Sequence, residues 1–193
     1  MEKSMKKTIV LFVLVIVVST CLFADKTFTL SHLIGDGNAL AHVEFWTPPV
    51  AGSSFPGSGI NGSVAVDYSE DSNGECIASV MLIFNDDITF TSLTLSCTNL
   101  TATVDNTVCT LDYVMKYKLK GNTDTWHTLS TSGGSGSGSA ALPTSYTYDS
   151  NSSHSDSAGN NIYWIADLYM KLVSFDVPAA QYTASVIVET AGP

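Results

Sequence analysis

The alternation of apolar and polar residues constrains this chain more than any other feature of its sequence. Between Leu111 and Lys120 every odd position is apolar, and the even positions are polar except for Val114. A period of two places one set of side chains on a core and the other set in water, as in a β-strand. Beyond residue 24 the period is two almost everywhere, and the sequence therefore predicts an all-β fold.

Similar patterns predict about 8–10 strands and favour an Ig-like antiparallel β-sandwich. Trp126–Leu129 is expected to return alongside Leu111–Lys120 as a hairpin. The range 162–172 also fits helical spacing, but its Tyr, Trp and Ile residues favour a strand. The other predicted strands are Phe28–Leu33, Ala39–Phe45, Ser63–Tyr68, Cys76–Phe84, Ile88–Cys97, Ser145–Tyr148 and Tyr182–Glu189.

Residues 25–193 are predicted to form a single domain, in which several segments are expected to be loops. Residues 131–140 are almost entirely Gly and Ser, a composition typical of flexible connections. Thr98–Val108 separates two predicted strands and is expected to be a loop as well. In Ile88–Cys97 the apolar residues change from even to odd positions, which predicts a β-bulge near Thr91 and Ser92.

The first 24 residues have the layout of a secretory signal peptide. Lysines at positions 3, 6 and 7 precede an apolar run from Ile9 to Val18, which is shorter than the ~20 residues of a spanning helix. We expect cleavage after Ala24, and lipidation of Cys21 is the alternative. The protein is thus predicted to be exported to the periplasm, the cell surface or the extracellular space. It would meet a membrane only through the signal peptide or a lipid anchor.

The charge composition argues against one class of partner. The chain has 18 acidic residues against 8 basic ones, all of them lysines, and its net charge is -10. Binding to nucleic acids needs a basic surface, so we expect no nucleic-acid partner.

Three cysteines remain after the predicted cleavage: Cys76, Cys97 and Cys109. A two-residue turn at Asp86 and Asp87 would place Cys76 opposite Cys97 in a hairpin, and an exported protein can oxidise such a pair. The predicted bulge can shift that register by one residue, so a bond between Cys97 and Cys109 is the alternative. Either bond leaves one free thiol.

An acidic loop is the candidate metal site. Calcium prefers oxygen ligands on a flexible loop, and Asp71-Ser72-Asn73-Gly74 resembles the start of an EF-hand loop. A solvated loop is the alternative, and no cofactor other than calcium is expected. The candidate ligands are Asp67, Glu70, Asp71, Asn73 and Glu75.

No catalytic pattern is present in the sequence. The four histidines form no metal-binding pair, and the Gly/Ser segment never spells a nucleophile motif. The sequence therefore predicts a protein that is not an enzyme. Trp46, Trp126 and Trp164 are candidates for a platform on which sugars stack, although at least two of these large rings are expected in the core or at its rim.

The C-terminal residues carry a resemblance to a known family. Val173–Val188 contains a turn at Pro178, then Tyr182-Thr183 and alternating apolar residues, and it resembles the closing hairpin of bacterial fimbrial and spore-coat-U-type subunits. Gln181 stands where that family usually has Gly. The resemblance implies an Ig-like sandwich that assembles surface fibres or coats by strand exchange.

These observations together predict an exported structural or adhesive surface protein, a fimbrial- or coat-like subunit without catalysis. Its expected partners are protein subunits, which would add strands at sheet edges formed by the terminal strands, and glycans. The alternative arrangement is that both terminal strands pair inside the same sandwich. The alternative function is that of a secreted carbohydrate- or calcium-dependent binding module.

Overall fold

The residues that the structure describes form fourteen strands and no helix, hence no helix that could cross a membrane. The structure, a computed structural model, describes residues 26–34, 41–50, 52–60, 62–66, 71–121, 125–129, 137–173 and 177–191. The predicted signal peptide with Cys21 lies outside these residues, as do Asp67 and Glu70. In chain order the strands are Lys26–Ile34 (β1), Ala41–Trp46 (β2), Gly62–Ala65 (β3), Glu75–Phe84 (β4), Ile88–Thr89 (β5), Ser92–Cys97 (β6), Leu100–Val104 (β7), Thr107–Leu111 (β8), Tyr113–Leu119 (β9), Trp126–Thr128 (β10), Gly138–Ala141 (β11), Ser145–Tyr146 (β12), Asn161–Leu172 (β13) and Tyr182–Ala191 (β14).

One sheet has five strands in the order β10-β9-β13-β4-β2, all antiparallel. Strand β4 is buried on both faces from Ile77 to Phe84, as its unbroken apolar sequence requires. Strand β13 confirms the strand interpretation of residues 162–172, because its aromatic and branched side chains fit a pleated surface. The helical alternative for that range is wrong.

The other large sheet has seven strands. Its main order is β11-β6-β14-β1-β3, and the β7–β8 hairpin joins it through β14. Strand β6 pairs with the second half of β14, whereas β7 meets its first half. Strands β1 and β14 run parallel over nine residue pairs, the one parallel pairing among the described strands. The two large sheets stack on a single core and confirm the predicted all-β sandwich.

The core between the sheets takes alternate residues from nearly every long strand, as a period of two requires. Its tyrosines keep their hydroxyl groups hydrogen-bonded: Tyr113 donates to the Thr98 carbonyl and Tyr182 to that of Pro178. These bonds remove the cost of burying a polar oxygen. Fully buried members of the core include Val43, Val80, Leu82, Leu95, Leu100, Leu111, Tyr113, Met115, Leu168, Tyr182, Val186 and Val188.

The predicted strand Ile88–Cys97 is in fact two strands separated by a crossing between sheets. Strand β5 pairs with β12 in a small two-stranded sheet, and β6 belongs to the seven-stranded sheet. The change of phase in the apolar pattern marks this crossing rather than a bulge. Because β4 and β6 lie in different sheets, they form no hairpin, and the predicted register that placed Cys76 opposite Cys97 is wrong.

The predicted loop 98–108 contains a hairpin instead. Strands β7 and β8 are joined by Asp105 and Asn106, both with positive φ (49° and 63°), as a two-residue type I′ turn requires. Strand β8 ends at Leu111 and β9 begins at Tyr113 in the other sheet, so the predicted strand Leu111–Lys120 also breaks at a crossing.

The Gly/Ser segment 131–140 is not a loop throughout. Gly138–Ala141 form β11, an edge strand that pairs with β6 from Gly138↔Cys97 to Ala141↔Thr94. Small side chains suffice here because the neighbouring backbone provides the hydrogen bonds. Residues 131–136 lie outside the described residues.

The terminal strands do not lie at sheet edges, contrary to the assembly prediction. Strand β1 lies between β14 and β3, and β14 lies between β1 and the strands β6 and β7. Both terminal strands therefore pair inside the same sandwich. Strands β13 and β14 belong to different sheets, so they do not form a hairpin with each other. The resemblance of the C-terminal residues to fimbrial and coat subunits stays a prediction.

Candidate functional site on the outer face of the five-stranded sheet

A row of paired residues crosses the outer face of the five-stranded sheet and has a tryptophan at each end. The pairings run Trp126↔Lys118, Lys118↔Asp167, Asp167↔Ser79 and Ser79↔Trp46. Four strand spacings separate the two indoles, a width of about 19 Å. The third tryptophan, Trp164, lies on the same face opposite Met81. The three tryptophans are thus brought together on one surface.

A β-bulge explains how Trp164 and Asp167 share this face. Residues three apart on a regular strand point to opposite faces. In β13 the register shifts between Trp164 and Ala166, so that Ile165 is the extra residue. Both side chains then face outwards, and the Trp164 Nε1–H donates to Asp167 Oδ1 over 3.0 Å.

Asp167 is the anchor of a buried polar cluster. Its carboxylate is only 4% exposed, and Ser79 Oγ donates to its Oδ1 over 2.6 Å. Lys120 Nζ lies 3.1 Å from its Oδ2 and 3.5 Å from the centroid of the Trp164 ring. The same ammonium group therefore makes an ion pair and a cation–π contact. This cluster holds Trp164 in one orientation.

An aromatic wall closes one side of the face. Phe55 stacks on His154, with centroids 3.8 Å apart, and makes edge contacts to Trp46 and Trp164 at 6.3 and 5.9 Å. The loop that carries Phe55 is bonded to the end of β2 by backbone hydrogen bonds at Thr47. Rings that pack on each other in this way leave little surface for a ligand.

Glu44 fixes the outer end of that wall. Its Oε2 accepts the indole N–H of Trp46 over 2.8 Å, and its Oε1 lies 3.0 Å from His42 Nε2. All three residues occupy alternate positions on β2 and therefore share its outer face. Glu44 orients the ring of Trp46 as Asp167 orients that of Trp164.

The opposite half of the face is partly exposed to solvent. Trp126 is 38% exposed and meets Tyr169 edge-on, with ring centroids 4.6 Å apart. Lys118 Nζ lies 5.8 Å from the centroid of the Trp126 ring, and Lys116 Nζ donates to Asn73 Oδ1 over 3.0 Å. We call this half the basic shelf; it consists of Lys116, Lys118, Trp126 and Tyr169.

Lysines are concentrated on this sheet face. Beyond residue 24 the chain has five lysines, and four of them lie on this face: Lys116 and Lys118 in β9, Lys120 directly after β9, and Lys171 in β13. Three of these lysines were visible in the sequence, where they form the polar side of the predicted strand Leu111–Lys120. The contributions of Tyr169, Asp167 and the Phe55 wall were missed, since they depend on pairing between distant strands.

Cys76 lies next to the basic shelf, and its thiol has low reactivity as a nucleophile. It pairs with Tyr169 in the sheet register. Burial, reinforced by the charge of Asp167, raises the pKa of the Cys76 thiol to about 12. The thiol is therefore protonated at neutral pH and a poor nucleophile.

No disulfide joins the cysteines of the described residues. Cys76, Cys97 and Cys109 are present as thiols, Cys97 being buried and the other two half-buried. Cys97 lies in β6 and Cys109 in β8, both in the seven-stranded sheet. A bond between Cys97 and Cys109 under oxidising conditions stays a prediction.

Two of the predicted calcium ligands, Asp71 and Asn73, form hydrogen bonds within the protein. Asn73 N–H donates to Asp71 Oδ1 over 2.8 Å, and the Asn73 side-chain oxygen is bonded to Lys116. Gly74 ends this turn at φ +87°, where a Cβ atom would lie 2.2 Å from the Met170 carbonyl oxygen. Within the described part of the chain, no three His, Cys, Asp or Glu residues are grouped as metal ligands would be. Glu75 is exposed, and calcium binding by this loop stays a prediction.

A second surface feature lies on the seven-stranded sheet. An open groove of about 570 Å³ follows the point where β6 gives way to β7 beside β14. Its lining consists of hydroxyl-bearing, amide and small side chains together with Cys97, and it holds no charged residue. The outer face of the five-stranded sheet is the stronger candidate for a binding site, because it combines cations, aromatic rings and a buried carboxylate.

Comparison with known proteins gives no match. No family model, no curated protein and no solved structure matches this chain. The proposals below therefore depend on the geometry of the chain itself.

Proposed function

We propose that this protein is an exported, non-catalytic adhesive β-sandwich that binds saccharides on the outer face of its five-stranded sheet. The observation that carries the proposal is the gathering of Trp46, Trp126 and Trp164 on that one face, two of them at the ends of a single row across all five strands. Sugar rings have apolar faces that stack on indole rings, while their hydroxyl groups need polar partners nearby.

Trp126 is the expected contact residue of this surface. Trp46 and Trp164 are packed against Phe55 and form the wall, whereas Trp126 keeps more than a third of its surface in solvent. A rigid floor beneath it favours binding, since little conformational freedom is lost when a ligand docks.

The buried carboxylate supports a binding role over a catalytic one. Asp167 accepts hydrogen bonds from Ser79 and Trp164 and pairs with Lys120, so its oxygens are engaged in holding the surface together. A general base needs a lone pair directed at its substrate. We therefore assign Asp167 to the architecture of the face.

A glycan array of neutral and acidic oligosaccharides tests this function, with W126A as the variant. We expect binding by the native protein and at least a tenfold loss for W126A, because truncating an exposed aromatic anchor removes its whole contact surface. The matched control is Y163A, on the same sheet but at a residue paired with Leu82 on the opposite face. No binding to any glycan, or equal losses in both variants, would reject the function.

Assembly through strand addition is the second candidate. Strand β2 lies at the edge of the five-stranded sheet with β4 as its strand partner, and residues 57–60 bond only to the end of β2 at Phe45 and Thr47 among the described residues. An added strand would extend along Ala41–Glu44. Size-exclusion chromatography of the same purified protein separates the candidates, because a glycan-binding monomer favours the first and a stable oligomer favours the second.

A further inference from the structure

The groove on the seven-stranded sheet lies where the chain passes from β6 to β7 beside β14. Thr98 N–H donates to the Ser185 carbonyl over 2.9 Å, and Ser185 N–H donates in return to the Thr98 hydroxyl, also over 2.9 Å. The Thr98 carbonyl accepts the hydroxyl of Tyr113 instead. A side chain thus replaces the main chain at this point of the ladder. The regular ladder is therefore interrupted at Thr98, and the groove lies at this interruption.

Hydroxyl groups surround the groove. Thr183 and Ser185 alternate with buried residues of β14 and therefore point away from the core. Thr101 of β7 is paired with Thr183, and Thr98 and Ser137 complete the hydroxyl-bearing lining. Each hydroxyl group can both donate and accept hydrogen bonds. The groove thus presents a neutral set of donors and acceptors.

Asn99 carries an acceptor that the described fold does not use. Its side chain lines the groove, and its Oδ1 is buried without accepting a hydrogen bond from any residue that the structure describes. Such an acceptor lowers the stability of the free protein, and native proteins keep few of them. A ligand that brings a donor into the groove would supply the missing hydrogen bond after a rotation of the amide about its Cβ–Cγ bond.

The lining restricts the chemistry of the ligand. None of the described residues that line the groove is charged, so a phosphate, a carboxylate or an ammonium group would lose hydration without gaining an ion pair. An extended peptide is disfavoured as well, because β14 is paired on both sides and offers no free strand edge. A neutral molecule rich in hydroxyl groups fits this lining. The volume of about 570 Å³ lies within the ~300–1,000 Å³ of small-ligand sites.

From this arrangement we propose that the groove is a second binding site, specific for a neutral saccharide unit held by hydrogen bonds rather than by stacking. The site lies on the other sheet of the sandwich and is independent of the function proposed above. Thr101, Thr183 and Asn99 are the expected contact residues. Because the groove is open, we expect weak binding, with a dissociation constant on the order of 1 mM.

Nuclear magnetic resonance titration with glucose, galactose, mannose and N-acetylglucosamine, each added singly, tests the site. At least one sugar should shift the amide signals of Thr101, Thr183 and Ser185 in a saturable way. W126A should bind that sugar in the groove with unchanged affinity. Glucuronate and glucosamine, which carry a charge, should each bind at least fivefold more weakly than the best neutral sugar.

Three variants separate a binding role from a structural one. T101V/T183V keeps the shape of both side chains but removes their hydroxyl groups, and it should weaken binding about tenfold, the effect of two lost hydrogen bonds. T94V/T103V makes the same change in the same sheet, outside the groove lining, and should bind normally. N99L should abolish binding and raise the melting temperature by about 2–4 °C, because it removes an acceptor that lacks a donor.

Several results would overturn the proposal. They are the absence of a saturable shift with all four sugars, loss of groove binding in W126A, and tighter binding of an uncharged Gly/Ser peptide than of the sugars. A lower melting temperature for N99L would show that the Asn99 amide is bonded inside the fold, and it would overturn the role assigned to that residue. The function of the five-stranded sheet is decided separately, by W126A on the glycan array.

Discussion

Asp167 is the one charged side chain buried among the described residues, and three donors hold it there. Removing one member of such a cluster leaves the others without partners, which costs more than the cluster itself contributes. The loss of stability should be larger when Asp167 is removed than when Lys120 is removed. Lys120 is 31% exposed and can turn to water, whereas Asp167 cannot.

The substitution D167A is therefore expected to lower the free energy of unfolding by about 3 kcal/mol, the lower end of the range for breaking a buried pair. K120M leaves the carboxylate with the Ser79 and Trp164 donors and should cost about 1–2 kcal/mol. Urea denaturation followed by tryptophan fluorescence measures both values. A larger loss for K120M than for D167A would show that Lys120, not Asp167, holds the cluster.

At the scale of single elements, substitutions in the β7–β8 turn test whether Asn106 has the backbone conformation of a type I′ turn. Asn106 has a φ of 63°, a conformation that glycine adopts without a steric penalty. We expect N106G to stabilise the protein by about 0.5–1 kcal/mol and N106A to destabilise it by about 1 kcal/mol. T107G, one residue later in extended backbone, is the control and should be destabilising. Thermal denaturation gives all three values, and stabilisation by T107G would contradict the turn assignment.

The same elements show what the sequence can and cannot predict. Alternation predicted β9 and β14, which are buried on one face. The nearly unbroken apolar sequence of β4 and the aromatic and branched residues of β13 predicted those two strands. The β7–β8 hairpin was missed since its turn is Asp105-Asn106 rather than a pair with glycine. The crossing near Thr91 was mistaken for a bulge, because both change the phase of the apolar pattern. The crossing at Asp112 was missed because the alternation of Leu111–Lys120 continues through it. The Asp167 cluster depends on pairing between strands that are far apart in the sequence, so the pattern of residues along one strand could not predict it.

Alkaline pH acts on the whole molecule through its buried thiol and phenols. Burial raises the pKa of Cys76 to about 12 and raises the pKa of Tyr113, Tyr146 and Tyr169 above the ordinary value. The unfolded chain releases these protons near the ordinary values of 9.0 and 10.0, while the folded chain retains them. The folded state then binds more protons, so its stability falls as the pH rises.

We expect constant stability with respect to these groups below pH 9, a decline that begins there and a steeper decline above pH 10. Urea midpoints at a series of pH values measure the profile. In C76S the first part of the decline should be shallower, because that variant has no thiol to ionise. A stability that rises with pH through this window would contradict the burial of these groups.

The parallel pair β1–β14 has a consequence for the order of events in folding. Residues 26–34 find their partners at residues 182–190, so a central strand of the seven-stranded sheet depends on the end of the chain. Contacts this distant in sequence are slow to form, since the entropy of closing so long a loop is lost before any contact compensates for it. During synthesis, the edge of β1 that pairs with β14 therefore stays unpaired until β14 has been made. A chain arrested before residue 182 would therefore lack a partner for β1 and expose a strand edge that the finished molecule conceals.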